Sequence, residues 1–122
     1  MDDDTSPALR VAMTYYRAWT GKDMDAAMAC FAPGMICDAP AGRLEGVDAY
    51  RAFLGPFSAM LIKADLIAAY GDADQALLMY DTTTPPVPSG PGAEFLTVRD
   101  GLITYSRFLF DRLPFELARR PA

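Results

Sequence analysis

The sequence predicts an α+β fold, with helices laid on one face of a curved antiparallel sheet. Apart from residues 35–45 the apolar positions up to residue 60 recur at helical spacing, and from residue 61 onward they recur at the two-residue spacing of strands. Between the later apolar runs, Gly71-Asp72 and Asp100-Gly101 supply the tight turns that make neighbouring strands antiparallel.

Each element has its own signal. Ser6-Pro7 reads as a helix start, with Ser as N-cap and Pro at the first helical position. The stripe Leu9, Ala12, Met13, Tyr16 and Trp19 follows, and Gly21 ends the helix. Asp23 caps a second, short helix through Met24, Ala27, Met28 and Phe31, which Pro33-Gly34 should stop. Residues 35–39 read as a strand, Pro40-Ala41-Gly42 as a turn and 43–45 as the return. Gly46 opens a third helix with Val47, Tyr50, Phe53 and Leu54 on its apolar face, ended by Gly55-Pro56. Strands are expected at 61–70, 75–84, 92–99 and 102–111, with a Pro- and Gly-rich surface loop over 85–92. Phe115-Glu116-Leu117, with Arg119 and Arg120, suits a short closing helix. Residues 1–6 are expected to form an acidic tail and residues 7–122 a single domain.

Composition narrows the chemistry. The 122 residues are 52% hydrophobic and carry a net charge of −5, which falls to −2 without Asp2, Asp3 and Asp4. No basic stripe is available to release counterions from a nucleic acid, so none is expected as a partner. There is no His, which removes imidazole general bases and most zinc sites, and no Asn. A reactive site would be built from carboxylates, Tyr, Trp, hydroxyls, Arg or the two Lys, with neither metal nor cofactor. Cys30 and Cys37 flank a Pro-Gly break and read as reduced thiols. The acidic start is the reverse of a signal peptide, and no apolar run reaches a membrane span, so a cytoplasmic protein is expected.

Trp19 near the end of helix one, Lys22-Asp23-Met24-Asp25-Ala26 opening helix two, Phe31-Ala32, Gly46, Val98-Arg99-Asp100-Gly101-Leu102-Ile103 and Phe110-Asp111 occur in an order that resembles the SnoaL-like branch of the nuclear-transport-factor-2-like superfamily. The resemblance covers roughly residues 7 to 112. It implies a cystatin-like conical α+β barrel with three N-terminal helices and a deep apolar pocket, usually in a homodimer. Fold does not give function: ketosteroid isomerases, polyketide cyclases, limonene epoxide hydrolases, scytalone dehydratases and members without chemistry share this architecture.

Set against the ketosteroid isomerases, Tyr15 matches the helix-one Tyr and Glu94 the protonated acid of the penultimate strand. Asp38 lies one residue before the position of the base, so a bulge is needed to turn it inward. Against the limonene epoxide hydrolases, Asp81 matches one acid, while Met79 stands for the Arg and Phe108 for the second Asp. Scytalone dehydratases and the better-known cyclases require His, which this chain lacks.

The candidate catalytic residues are therefore Asp38, Glu94, Asp81 and Tyr15, and the candidate substrate-binding residues Tyr16, Trp19, Met79, Leu96, Phe108 and Phe110. Each carboxylate has two readings. Glu94 shares a strand face with Leu96 and Val98 and is either a desolvated donor to a ligand oxygen or a solvated residue at the loop mouth. Asp81 is either a pocket acid or the partner of Arg107. Asp38 is either a base or a turn acceptor before Pro40. Tyr15 and Tyr16 lie about 100° apart, so one is expected to face the pocket and the other the sheet edge or solvent. The last strand carries bulky groups on both faces, which points to a second subunit over Tyr105, Arg107 and Leu109. The functional expectation is a SnoaL-like protein for a small polyketide-like or steroid-like hydrophobic molecule, with cofactor-free isomerase, cyclase or lyase chemistry. The alternative is a non-catalytic binding or dimerisation module.

Overall fold

A computed structural model describes residues 6–120; the acidic run Asp2–Asp4 lies outside the described residues. The order is α1 (Pro7–Thr20), α2 (Met24–Met28), β1 (Phe31–Ala39), β2 (Gly42–Glu45), α3 (Val47–Met60), β3 (Lys63–Gly71), β4 (Gln75–Thr83), β5 (Gly90–Arg99), β6 (Leu102–Phe110) and α4 (Leu113–Arg119). Among the described residues the strands form one sheet in the order β2-β1-β6-β5-β4-β3.

The helix α1 buries Ala8, Leu9, Ala12, Met13, Tyr15, Tyr16 and Trp19, a stripe at three- and four-residue spacing that lies against the inner face of the sheet. Its start is held differently from the expected N-cap. The Ser6 hydroxyl accepts no hydrogen bond from the first turn of its own helix; it donates to the Gly71 carbonyl at 2.7 Å and so pins α1 to the end of β3. A side chain at Gly71 would lie 2.9 Å from the Leu9 Cβ, so only glycine allows this approach. Asp23 caps α2 as expected, accepting from the Ala26 N–H at 3.1 Å. At the Asp100-Gly101 hairpin both residues have positive φ, 52° and 78°, as a two-residue turn between twisted strands requires.

Three boundaries differ from the sequence expectation. Helix α2 ends at Met28, and Pro33-Gly34 lie inside β1, where the register with β6 shifts between Phe31 and Ile36. Helix α3 continues through Gly55-Pro56 to Met60. Proline removes one helical hydrogen bond, but Ala52 and Pro56 both face solvent, so water can serve the freed carbonyl. The last turn of α3 is anchored independently: the buried Ser58 hydroxyl donates to the Trp19 carbonyl at 2.7 Å, and Lys22 Nζ donates to the Ala59 carbonyl at 3.1 Å. Strand β5 starts at Gly90, earlier than predicted. The sheet is also mixed: β3 to β6 form an antiparallel meander, whereas β1 runs parallel to β6.

Strand alternation divides the sheet into two surfaces. Leu78, Tyr80 and Thr82 of β4, Glu94, Leu96 and Val98 of β5, and Ser106 and Phe108 of β6 are buried on the inner side. Leu77, Met79 and Leu109 are exposed on the other side.

Candidate functional site

The one buried carboxyl group among the described residues stands at the centre of the inner surface. Glu94 is fully buried, and three phenols from three different elements converge on it. Tyr15 of α1 donates to Oε1 at 2.6 Å, Tyr50 of α3 to the same oxygen at 3.2 Å, and Tyr80 of β4 to Oε2 at 2.6 Å. The hydroxyls of Tyr15 and Tyr50 are also hydrogen-bonded to each other, so one of the two shares its single proton between the other phenol and the carboxylate. No Lys or Arg is within ion-pairing distance of the carboxylate among the described residues.

Two effects of opposite sign act on Glu94. Burial penalises the ionised form, while three phenolic donors favour it. Burial dominates, and the pKa is pushed up to about 7. Burial raises Tyr15, Tyr50 and Tyr80 well above the ordinary tyrosine value, and the Glu94 charge adds to it. Nearby, the Cys37 thiol is pushed up to about 11, again chiefly by burial, and contacts the Ser106 hydroxyl at 3.8 Å.

A cavity of about 370 Å³ lies between α3, α4 and the sheet. Phe53, Phe57, Phe108, Phe110 and Phe115 contribute rings to its wall, and Tyr80 is the one member of the carboxyl cluster that reaches it. The ring contacts are edge-on or tilted: Phe53 to Phe108 at 5.4 Å, Phe110 to Phe115 at 5.9 Å and Phe57 to Phe115 at 5.9 Å. Trp19 stands behind this wall, 5.6 Å from the Tyr80 ring and 6.0 Å from Phe57. Its indole N–H is buried without a hydrogen-bond partner.

The sequence-selected residues fall into separate groups. Tyr15 and Glu94 are in direct contact. Phe108 and Phe110 line the cavity, while Tyr16 and Trp19 pack behind Tyr80 and Leu96 is buried on β5. Both Tyr15 and Tyr16 are buried, so of the two places expected for the second ring, sheet edge or solvent, solvent is excluded.

Asp38 and Asp81 stand apart from this cluster. In β1 it is Cys37, not Asp38, that turns inward, despite the irregularity earlier in the strand. Asp38 instead takes Arg43 Nε at 2.9 Å and Nη2 at 3.1 Å, and accepts from the Tyr105 hydroxyl at 2.7 Å. The Arg43 guanidinium, followed by the Tyr105 hydrogen bond, holds its pKa down to about 2. Asp81 and Met79 are on the outer surface. Asp81 accepts from Ser89, and β5 separates its strand from that of Arg107.

Tyr50 and Tyr80 escaped selection from sequence. The available signal was a phenol on an otherwise apolar face: a buried hydroxyl requires a partner, and Glu94 was the one acid on a matching face. Among the described residues no three His, Cys, Asp or Glu side chains gather around a common point, and no helix is long and apolar enough to cross a membrane.

Comparison with known proteins agrees with this architecture. The crystal structure of a protein from Kribbella flavida DSM 17836 superposes with a TM-score of 0.90 at 58% identity, covering 92% of this chain and 93% of that one. Two more distant structures share the fold. A candidate SnoaL-like polyketide cyclase from Jannaschia sp. CCS1 has a TM-score of 0.78 at 14% identity over 96% of both chains. A candidate polyketide cyclase from Sinorhizobium meliloti has a TM-score of 0.72 at 22% identity over 82% of this chain and 94% of that one. No curated protein matches the sequence. The SnoaL-like domain profile matches residues 12–106, which spans α1 to β6 and takes in the whole carboxyl cluster, and the chain belongs to that family.

Proposed function

We propose that this protein binds a flat, apolar small molecule in the cavity between α3, α4 and the sheet. The supporting observation is the wall of five Phe rings around about 370 Å³, a volume within the usual range for small-ligand sites. Neither Asp38 nor Asp81 lines that wall, and among the described residues no carboxylate does, which favours binding over multi-carboxylate chemistry.

One observation favours a second reading, cofactor-free acid–base chemistry of the isomerase, cyclase or lyase kind. Tyr80 belongs both to the cavity wall and to the Glu94 cluster. With Glu94 ionised, the Tyr80 proton is directed to Oε2, leaving the phenol oxygen to accept. With Glu94 protonated, the carboxyl donates to the phenol, and Tyr80 can donate to a ligand oxygen. A carboxyl titrating near 7 supplies both states at working pH. Glu94 acts in this scheme through Tyr80 and is a positioning residue.

Trp19 fluorescence and thermal shift with 2-naphthol and 2-methylnaphthalene test both readings. Both compounds should bind, and Tyr80→Phe should lower 2-naphthol affinity about tenfold while leaving 2-methylnaphthalene unchanged. Conversion of a β,γ-unsaturated cyclic ketone, followed by the absorbance of its conjugated product, should fall with the same substitution. Absence of any binding would reject the cavity as the site, and identical 2-naphthol binding by Tyr80→Phe would reject the acid–base reading.

The outer sheet surface supports a homodimer. Tyr70, Leu77 and Phe95 fall in one cross-strand row that runs on to Arg107, and Met79, Ala93 and Leu109 fall in the next. Arg107 at one end and Asp81 at the other allow a two-fold axis to set opposite charges over each other. Light scattering at micromolar concentration should give twice the chain mass, and Leu109→Glu should halve it. A monomeric parent would reject the pairing. Residues 7–122 are taken to work as one domain, and the unpaired Cys30 and Cys37 are compatible with a cytoplasmic setting.

A further inference from the structure

The cavity has a polar feature that the Phe wall does not explain. Arg119, in the last turn of α4, lines it and is exposed, so a cationic side chain starts from the part of the wall that borders solvent. Among the described residues no carboxylate pairs with it. The one acid of its helix, Glu116, is held by Arg112 at 3.3 Å. The other polar side chains of the wall are committed: the Tyr80 hydroxyl donates to Glu94, and the Thr82 hydroxyl donates to the Gly90 carbonyl at 2.7 Å. Helix α4 also lies beyond the stretch that matches the family profile.

Part of the wall between these groups is backbone. Gly90 and Gly92 present bare backbone to the cavity, and a Cβ at Gly90 would lie 3.4 Å from the Phe115 ring, while one at Gly92 would lie 3.2 Å from the Tyr80 ring. Aromatic rings and bare main chain therefore lie close together in this wall, with the uncommitted Arg119 among its lining residues.

We propose that the ligand of this cavity is a planar aromatic or polycyclic carboxylate, its ring system between the Phe side chains and its carboxylate paired with Arg119. A guanidinium meets a carboxylate with two parallel hydrogen bonds, a geometry that a neutral amide cannot reproduce. The apolar wall supplies affinity, and Arg119 selects the anion. This rests on the cavity being the ligand site, as proposed above.

The test uses two probes of one shape, 2-naphthoate and 2-naphthamide, titrated into the parent, Arg119→Gln and Arg119→Lys. Arg119 is exposed, so the substitutions leave the fold intact, and binding of 2-naphthamide serves as the control for an intact cavity. The parent should prefer 2-naphthoate about tenfold, with the preference shrinking as salt is raised. Arg119→Gln should abolish the preference without changing 2-naphthamide binding, and Arg119→Lys should retain part of it. Equal binding of both probes by the parent, or a preference that survives in Arg119→Gln, would overturn the role of Arg119 and leave the cavity standing. Binding of neither probe would overturn both.

Discussion

Glu94 and Asp38 are both carboxylates on strands of one sheet, and both accept hydrogen bonds from tyrosine, yet their pKa values lie near 7 and near 2. Phenols do not account for the difference, since Glu94 has three and Asp38 one. Asp38 stands on the outer surface beside Arg43, with water available to its charge; Glu94 stands on the inner surface with neither cation nor solvent. At Glu94 the three neutral phenols do not offset the loss of bulk water, whereas Asp38 keeps its water and gains a guanidinium. Of the two, only the inner carboxyl is suited to exchange a proton near neutrality.

Removing the Glu94 carboxyl should have the largest effect. Glu94→Leu would leave the hydroxyls of Tyr15, Tyr50 and Tyr80 in a dry interior without their shared acceptor, at about 1 to 3 kcal/mol for each that finds no substitute. Chemical denaturation should show a loss of roughly 3 kcal/mol or more, with Glu94→Gln losing clearly less because its amide oxygen still accepts. Equal losses in both variants would show that the phenols do not depend on this acceptor.

The pH dependence should separate the two carboxylates by sign. Glu94 has its folded pKa raised from 4.5 to about 7, so its contribution to stability is complete below about pH 4.5 and is lost as pH rises through 7. At about 1.4 kcal/mol per unit this amounts to roughly 3 kcal/mol, and Glu94→Gln should flatten that part of the profile. Asp38 has its folded pKa lowered from 3.8 to about 2, so its contribution is present above pH 3.8 and is lost as pH falls through 2. Because this pair is solvated, Asp38→Asn should give the smallest change of all, confined to the acid end. A parent whose stability is flat between pH 5 and 8 would contradict the assignment of Glu94.

Much of the frame was legible in the sequence because it depends on local chemistry. Asp23 as a cap, Asp100-Gly101 as a turn and the alternation that buries Glu94 with Leu96 and Val98 are properties of a few consecutive residues. Alternation says which residues share a face, but not which face is inside. Asp81 was therefore chosen over its neighbour Tyr80, and the two point to opposite surfaces. Tyr50 read as one more apolar residue of a helix stripe, since a phenol's need for a partner becomes visible only once the partner's place is known. The passage of α3 through Pro56 depends on anchors at Trp19 and Lys22, far away in sequence, and the parallel pairing of β1 with β6 depends on the whole crossover between them.

That parallel pairing governs the order of assembly. During synthesis β1 emerges early with β2 as its only strand partner, and its other edge stays open until β6, more than sixty residues later, leaves the ribosome. The same delay applies to the carboxyl cluster, since Tyr15 and Glu94 are 79 positions apart. The interior carboxyl of this protein is thus enclosed late, once the last strand of the meander closes the sheet against β1, and the wall of the cavity is completed only afterwards, when α4 follows β6.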